Sequence, residues 1–239
     1  SVHLLRAETA EAVATFALCH PDGVWIARLK GWRPFKYRLK IDWPTGPVEI
    51  DDPYRFPPIL GALDIHLWRE GRWLRPYDHF GAHVRTVDGA AGVSFVVWAP
   101  NAKRVSVVGD FNGWDGRRHP MRLRHDSGAW EIFVPGIGAG ALYKYELLDA
   151  NWDLLPQRAD PFGFRSERPP GTASVVAAPD DYAWHDADWM RRRGETVAVD
   201  RPMTIYEVHL GSWRRHWDGN RYLSYDELAT ALVPYVRDL

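Results

Sequence analysis

The chain has 239 residues, 46% of them hydrophobic and 26% charged, an ordinary balance for a globular protein. Thirty basic residues against 31 acidic ones leave a formal charge of −1, which excludes the basic footprint that nucleic acid or an acidic membrane surface requires. No apolar run approaches the roughly 20 residues of a membrane span. The opening "SVHLLRAETAEAV" carries no basic-then-apolar leader, and a lone cysteine, Cys19, excludes an internal disulfide, so the expected location is cytoplasmic.

Thirteen tryptophans, 18 prolines and 20 glycines describe a turn-rich β protein. In chain order, residues 12–58 hold short alternating segments, "AVATFALC", "VWIARL", "FKYRLKI" and "VEI", punctuated by Gly, Pro and Asp. "LGALDIHLWREGRWLRPYDHFGAH" reads as a connector with a hairpin around Glu70-Gly71. Residues 92–177 return to strands: "GVSFVVWA", "RVSVVG", "WEIFV", "LYKYELL" and "SVVAA". In the first of these, period two puts Val93, Phe95 and Val97 on one face and Ser94, Val96 and Trp98 on the other. Strands of this spacing predict antiparallel sandwiches.

The two strand-rich regions repeat each other. "FKYRLKIDWPTGPVEIDDPY" from Phe35 matches "YKYELLDANWDLLPQRADPF" from Tyr143. Lys36 to Asp52 and Lys144 to Asp160 are the same sixteen-residue step, each copy places a tryptophan (Trp43, Trp152) after its strand, and each closes on Asp-Pro-aromatic. The expected fold is therefore mainly β: two immunoglobulin-like antiparallel β-sandwich modules in tandem, residues 1–80 and 81–180.

Residues 181–201 are polar and read as a linker, with "RRR" at 191–193 on a solvated face. "MTIYEVHLGSW" reads as a strand covered on both faces, with Glu207 and His209 on one side as a hydrogen-bonded pair. A helix follows: Ser224 and Glu227 form a capping box, and Leu228, Leu232, Tyr235 and Leu239 make one apolar stripe through Pro234. A strand and an amphipathic helix are half of a βαβ unit, so 202–239 reads as the first strand and helix of a truncated (β/α)8 barrel.

"VSFVVWAPNAKRVSVVGDFNGWDGRRHPM", "GALYKYELLDA", "PPGTASVV" and "MTIYEVHLGSWRR" resemble the N-terminal part of the bacterial glycogen branching enzymes, most strongly from Gly81 to Leu239. The chain departs from that family at Trp73, where a histidine is common, and around "DPFGFRSERPP". The resemblance implies a starch/glycogen-type carbohydrate-binding module and the start of an α-amylase-class barrel. It implies a reaction in which an α-1,4 glucan bond is cut with retention and rejoined as an α-1,6 branch, by an aspartate nucleophile and a glutamate acid/base that this chain does not contain. The chain alone is expected to be inactive, its missing partner being the catalytic barrel of the same polypeptide. Related glycogen-binding modules hold glucan on aromatic platforms assisted by a lysine, and the matching positions here are Trp114, Lys144 and Trp152. The partner expected is an α-glucan, with no nucleic acid and no membrane. No cofactor or metal is expected, since the ten histidines show no ligand spacing.

"GIGAGA" at 136–141 opens no helix and reads as a long hairpin connection rather than a phosphate loop. A stand-alone glycogen-binding or regulatory module, and a debranching or trehalose-releasing enzyme of the same barrel class, remain alternatives at this stage.

Overall fold

The structure is a computed structural model and describes every residue except Trp32, Pro34, 179–181 and 196–201. The chain divides into two compact units, Ser1–Asp181 and Tyr182–Leu239.

The first unit begins with five strands, β1 (Val2–Arg6), β2 (Ala12–His20), β3 (Val24–Ile26), β4 (Tyr37–Trp43) and β5 (Gly46–Ile50), in one antiparallel sheet of order β3-β2-β1-β4-β5. Residues directly opposite each other share a face. Val2 therefore lies with Phe16 and Ile41, and Leu4 with Leu39, making one face apolar. His3 lies with Thr15 and Lys40 on the other, where its ring nitrogens meet Thr15 at 3.0 Å and Asp42 at 3.1 Å. The first of the two expected sandwiches is thus a single sheet: the alternating pattern is that of a half-buried strand, and all five strands hydrogen-bond side by side rather than dividing into layers.

The connector differs from expectation too. Ala62–Arg69 is a helix, α1, with no hairpin at Glu70-Gly71. Asp64 accepts the Gly61 N–H at 2.8 Å at its start. At its end Gly71 turns left-handed (φ 65), with Gly71 N–H bonded to Trp68 O and Arg72 N–H to Leu67 O. Those are the two bonds of a Schellman stop, so the glycine that suggests a hairpin ends a helix instead.

Residues 81–175 hold seven strands: β6 (Gly81–Val87), β7 (Ala90–Trp98), β8 (Arg104–Gly109), β9 (Arg122–Arg124), β10 (Ala129–Pro135), β11 (Leu142–Leu148) and β12 (Ser174–Val175). They form two antiparallel sheets, β6-β7-β10-β9 and β12-β11-β8. Val93, Phe95 and Val97 of β7 meet Val105 and Val107 of β8 and Tyr143 and Tyr145 of β11 in one core. Burying each such side chain contributes roughly 1.5–3 kcal/mol, so most of the unit's apolar stabilisation sits here. Residues 136–141 join β10 to β11, which belong to different sheets, so this segment crosses between layers and is not a hairpin.

The outer face of the four-stranded sheet is covered by the connector, with Val96 and Ala129 lying under Leu60, Phe80 and Trp68. Trp73 packs edge-on to Trp68, at 6.4 Å between ring centroids. Glu131, 1% exposed on β10, accepts the N–H groups of Ile59 (3.1 Å) and Leu60 (2.9 Å) and pairs with Arg124 at 3.1 Å.

The second unit has three helices, α2 (Ala187–Gly194), α3 (Leu210–Trp213) and α4 (Tyr225–Asp238), among the described residues. The "RRR" segment lies on the exposed surface of α2. Residues 202–209 form no strand, contrary to expectation. A strand exists only through its ladder, and no described segment pairs with them. Glu207 is exposed, and His209 bonds Ser212 Oγ at 2.8 Å, so the expected buried pair does not form. The helix is as expected: Ser224 Oγ accepts Glu227 N–H, the Glu227 carboxylate accepts Ser224 N–H at 2.8 Å, and the element continues through Pro234. Of its stripe only Leu228 is buried, while Tyr235 and Leu239 are exposed.

Candidate functional site

β8 leads into residues 109–116, "GDFNGWDG", and each residue type there has a structural reason. A Cβ on Gly109 would stand 2.2 Å from Leu142 O, so only glycine lets β8 approach β11 this closely. Asn112 is buried and ties the turn: its Oδ1 accepts Gly109 N–H (3.0 Å), and its Nδ2 donates to Val107 O (2.9 Å) and to His119 Nδ1 (2.8 Å). Gly113 and Trp114 are both left-handed, at φ 66 and 59. The Trp114 indole N–H donates to Asp110 Oδ1 at 2.8 Å, fixing the ring. Gly116 lies against the Glu146 carboxylate, where a Cβ would come within 2.0 Å of Oε1.

That contact places the turn. On β11, Tyr143 and Tyr145 point into the core, so Lys144 and Glu146 point to the opposite face. Since Gly116 rests on Glu146, the turn carrying Trp114 folds back over the face that carries Lys144. The Lys144 ammonium donates to Thr172 Oγ1 at 2.6 Å. Glu146 is held by Arg104 at 2.5 Å.

Trp152 sits in the turn after β11. Asp149 Oδ1 accepts the N–H groups of Asn151 (2.8 Å) and Asp153 (3.0 Å), and Trp152, left-handed at φ 69, is 65% exposed. Among the described residues no hydrogen bond or ring contact joins Trp114, Lys144 and Trp152 directly. Five described non-glycine residues have positive φ, and two of them are these tryptophans. A bulky side chain in that region costs about 1–2 kcal/mol, and such strain concentrates where a side chain is presented for use.

Behind the platform lies a knot that sequence reading matched by spacing but did not assign. Tyr143 and Tyr145 both donate to Asp160 Oδ2, at 2.7 and 3.1 Å, while Asp160 Oδ1 accepts Phe162 N–H at 2.8 Å. Burial pushes the Asp160 carboxyl above its ordinary range, more than its hydrogen bonds lower it. Also missed were Asp110 and Thr172, the partners of Trp114 and Lys144. Asp110 could have been found as the acceptor four residues before an indole; Thr172 had no signal, being 28 residues from its lysine.

Residues 79–163 match the family model for carbohydrate-binding module 48 (isoamylase N-terminal domain). Across 96% of this chain the 1,4-alpha-glucan branching enzyme GlgB of Paramagnetospirillum magneticum is 55% identical. The enzymes of the same name from Rubrobacter xylanophilus and Rhodospirillum rubrum are 57% identical over 92% of the chain and 50% identical over 100% of it. The chain is a relative of the 1,4-alpha-glucan branching enzymes. It spans about a third of the length of these relatives, namely 31%, 30% and 32%. A crystal structure of ligand-free PulA from Klebsiella pneumoniae is 26% identical over 41% of this chain and 9% of its own, with a TM-score of 0.33, an overlap confined to a minor part of both molecules. Six of the seven strands of residues 81–175, all but β12, fall within the matched region, as do Trp114, Lys144 and Trp152. No helix among the described residues is long and apolar enough to cross a membrane.

Proposed function

We propose that this chain is the glucan-holding part of a 1,4-alpha-glucan branching enzyme, with Trp114, Lys144 and Trp152 as its sugar contacts. The observation that carries the reading is identity of 50–57% to three enzymes of that name over 92–100% of the chain. The tryptophan faces take the C–H side of pyranose rings, and the Lys144 ammonium, steadied by Thr172, supplies donors to ring hydroxyls. Stacking of this kind is worth roughly 1–3 kcal/mol per platform by analogy with bases on aromatics.

The whole enzyme then cuts an α-1,4 bond with retention and re-forms it as an α-1,6 branch, which requires two carboxylates about 5–5.5 Å apart across the scissile bond. Among the described residues the buried carboxylates, Glu131 and Asp160, are engaged by backbone N–H groups, arginine and tyrosines, as structural ties are. Residues 1–80, 81–180, 181–201 and 202–239 are assigned as N-terminal β module with connector, binding module, linker and the start of the catalytic barrel, and the protein acts in the cytoplasm on glycogen or amylose-type chains.

Maltoheptaose titrated into the chain, followed by tryptophan fluorescence, tests the platform. Trp114→Ala and Trp152→Ala are each expected to weaken binding at least fivefold, in line with about 1 kcal/mol or more per stack. Wild-type affinity in both variants would remove the site. Amylose offered to the purified chain is expected to keep its iodine colour unchanged.

A further inference from the structure

A cavity borders the 109–116 turn at Phe111 and His119 just beyond it. It is about 370 Å3 and lies between the β5 edge of the N-terminal sheet and the sandwich, with Glu49, Ile50, Asp51, Phe111, His119 and Ile137 among its walls. That volume is at the low end of those that take a small ligand, enough for one or two sugar rings.

Its polar groups are set by geometry. The Gly109 N–H must meet an oxygen, so the Asn112 amide is oriented with Oδ1 toward Gly109 and Nδ2 toward Val107 O and His119 Nδ1. Since Nδ2 donates, His119 Nδ1 accepts, and in the neutral ring the proton is on Nε2. Burial holds His119 below its ordinary range, so the ring is neutral near pH 7. Among the described residues Nε2 has no hydrogen-bond partner, which leaves one fixed N–H donor at the cavity wall. Asp51 is occupied by Arg55, at 2.7 and 3.2 Å, but Glu49 has no ion pair among the described residues and remains an acceptor. Phe111 lies 5.8 Å from the His119 ring and supplies an apolar wall with Ile50 and Ile137.

A fixed donor, a free carboxylate and apolar walls suit a molecule with hydroxyls on its rim and C–H bonds on its faces. We propose that this cleft is a second α-glucan contact, in which Glu49 and His119 Nε2–H bind the hydroxyls of one or two glucose residues. The proposal rests on the glucan reading of the chain but not on the Trp114–Lys144–Trp152 platform. One turn then serves two sugar contacts, with Trp114 on the outer face of β11 and Phe111 in the cleft.

Nuclear magnetic resonance of the whole 15N-labelled chain, titrated with maltotriose, separates the two. The amides of Gly136 and Ile137 and the His119 ring report the cleft; the indole N–H groups of Trp114 and Trp152 report the platform. Shifts at the cleft reporters are expected, and Glu49→Ala, an exposed position, should weaken that response about tenfold while leaving the indole response unchanged. Cleft shifts with silent indoles would support the cleft and remove the platform. Indole shifts with a silent cleft, or a cleft affinity that Glu49→Ala leaves unaltered, would overturn the proposal. Silence at both would overturn both.

Discussion

The N-terminal sheet and the sandwich contain the same knot in different surroundings. In the sandwich Tyr145 donates to Asp160 Oδ2 and Phe162 N–H to Asp160 Oδ1; in the sheet Tyr37 donates to Asp52 Oδ2 at 2.6 Å and Tyr54 N–H to Asp52 Oδ1 at 2.9 Å. The sixteen-residue repeat therefore encodes a particular tie between a strand and the Asp-Pro turn that follows it. What differs is burial and a second tyrosine. Tyr143 adds a second bond to Asp160 where the sheet has Phe35, and a facing sheet buries the carboxylate, whereas the apolar face of the N-terminal sheet is only partly covered. A short-range pattern is enough to place a hydrogen bond, but how much that bond is worth depends on what packs over it.

Two pairs of substitutions probe that difference, the larger effect first. The strongest acts where the sandwich has something the sheet lacks: the wide turn 109–118, in place of the tight 7–11 turn between β1 and β2. Gly109→Ala drives a Cβ to 2.2 Å from the backbone oxygen of Leu142 and is expected to cost about 3 kcal/mol or more in urea denaturation. Gly113→Ala, in open space at φ 66, should cost only about 1 kcal/mol. Equal losses would show that strand approach is not what requires Gly109. Next, Asp160→Ala strips the acceptor from two buried tyrosine hydroxyls and one N–H, at about 3 kcal/mol, while Asp52→Ala in the partly exposed copy should cost about 1 kcal/mol. Matching losses at the two aspartates would mean that burial adds nothing to the knot.

Sequence reading recovered five of the seven strands of the sandwich (β7, β8, β10, β11 and β12), the two faces of β7, the capped last helix and the repeat, because each is written in a local pattern of alternation, capping or spacing. It misread whatever depended on a partner elsewhere. The alternation in residues 2–50 shows which face is apolar but not whether a second layer covers it. "MTIYEVHL" has strand composition, yet a strand without a neighbour does not form. Gly71 is a left-handed residue in either a hairpin or a helix stop, and the packing of Ile65 and Trp68 against Leu60 and Phe80 decides for the helix. At the candidate site, Trp114, Lys144 and Trp152 were legible from the family's motif, whereas Asp110, Thr172 and the His119–Asn112 arrangement depend on where the turn folds back.

The smallest expected effect is a pH dependence, and its sign tests whether burial or hydrogen bonding governs the sandwich knot. Burial raises the native Asp160 carboxyl above its ordinary value near 3.8. Between those two values the folded state holds a proton that the unfolded state has released, so raising the pH through that window removes stability. Below it both states are protonated and above it both are ionised, so the contribution is flat at either end. Asp160→Asn cannot titrate. The stability of the wild type minus that of the Asp160→Asn variant should therefore fall as pH climbs from about 3.8 through the window and then level off. A difference that instead rose with pH at Asp160 would mean that the two tyrosine hydroxyls and the Phe162 N–H stabilise the carboxylate more than its surroundings penalise it. The buried knot would then be a charge-holding device, and the contrast with the open copy would lie in the number of donors rather than in the layer that covers them.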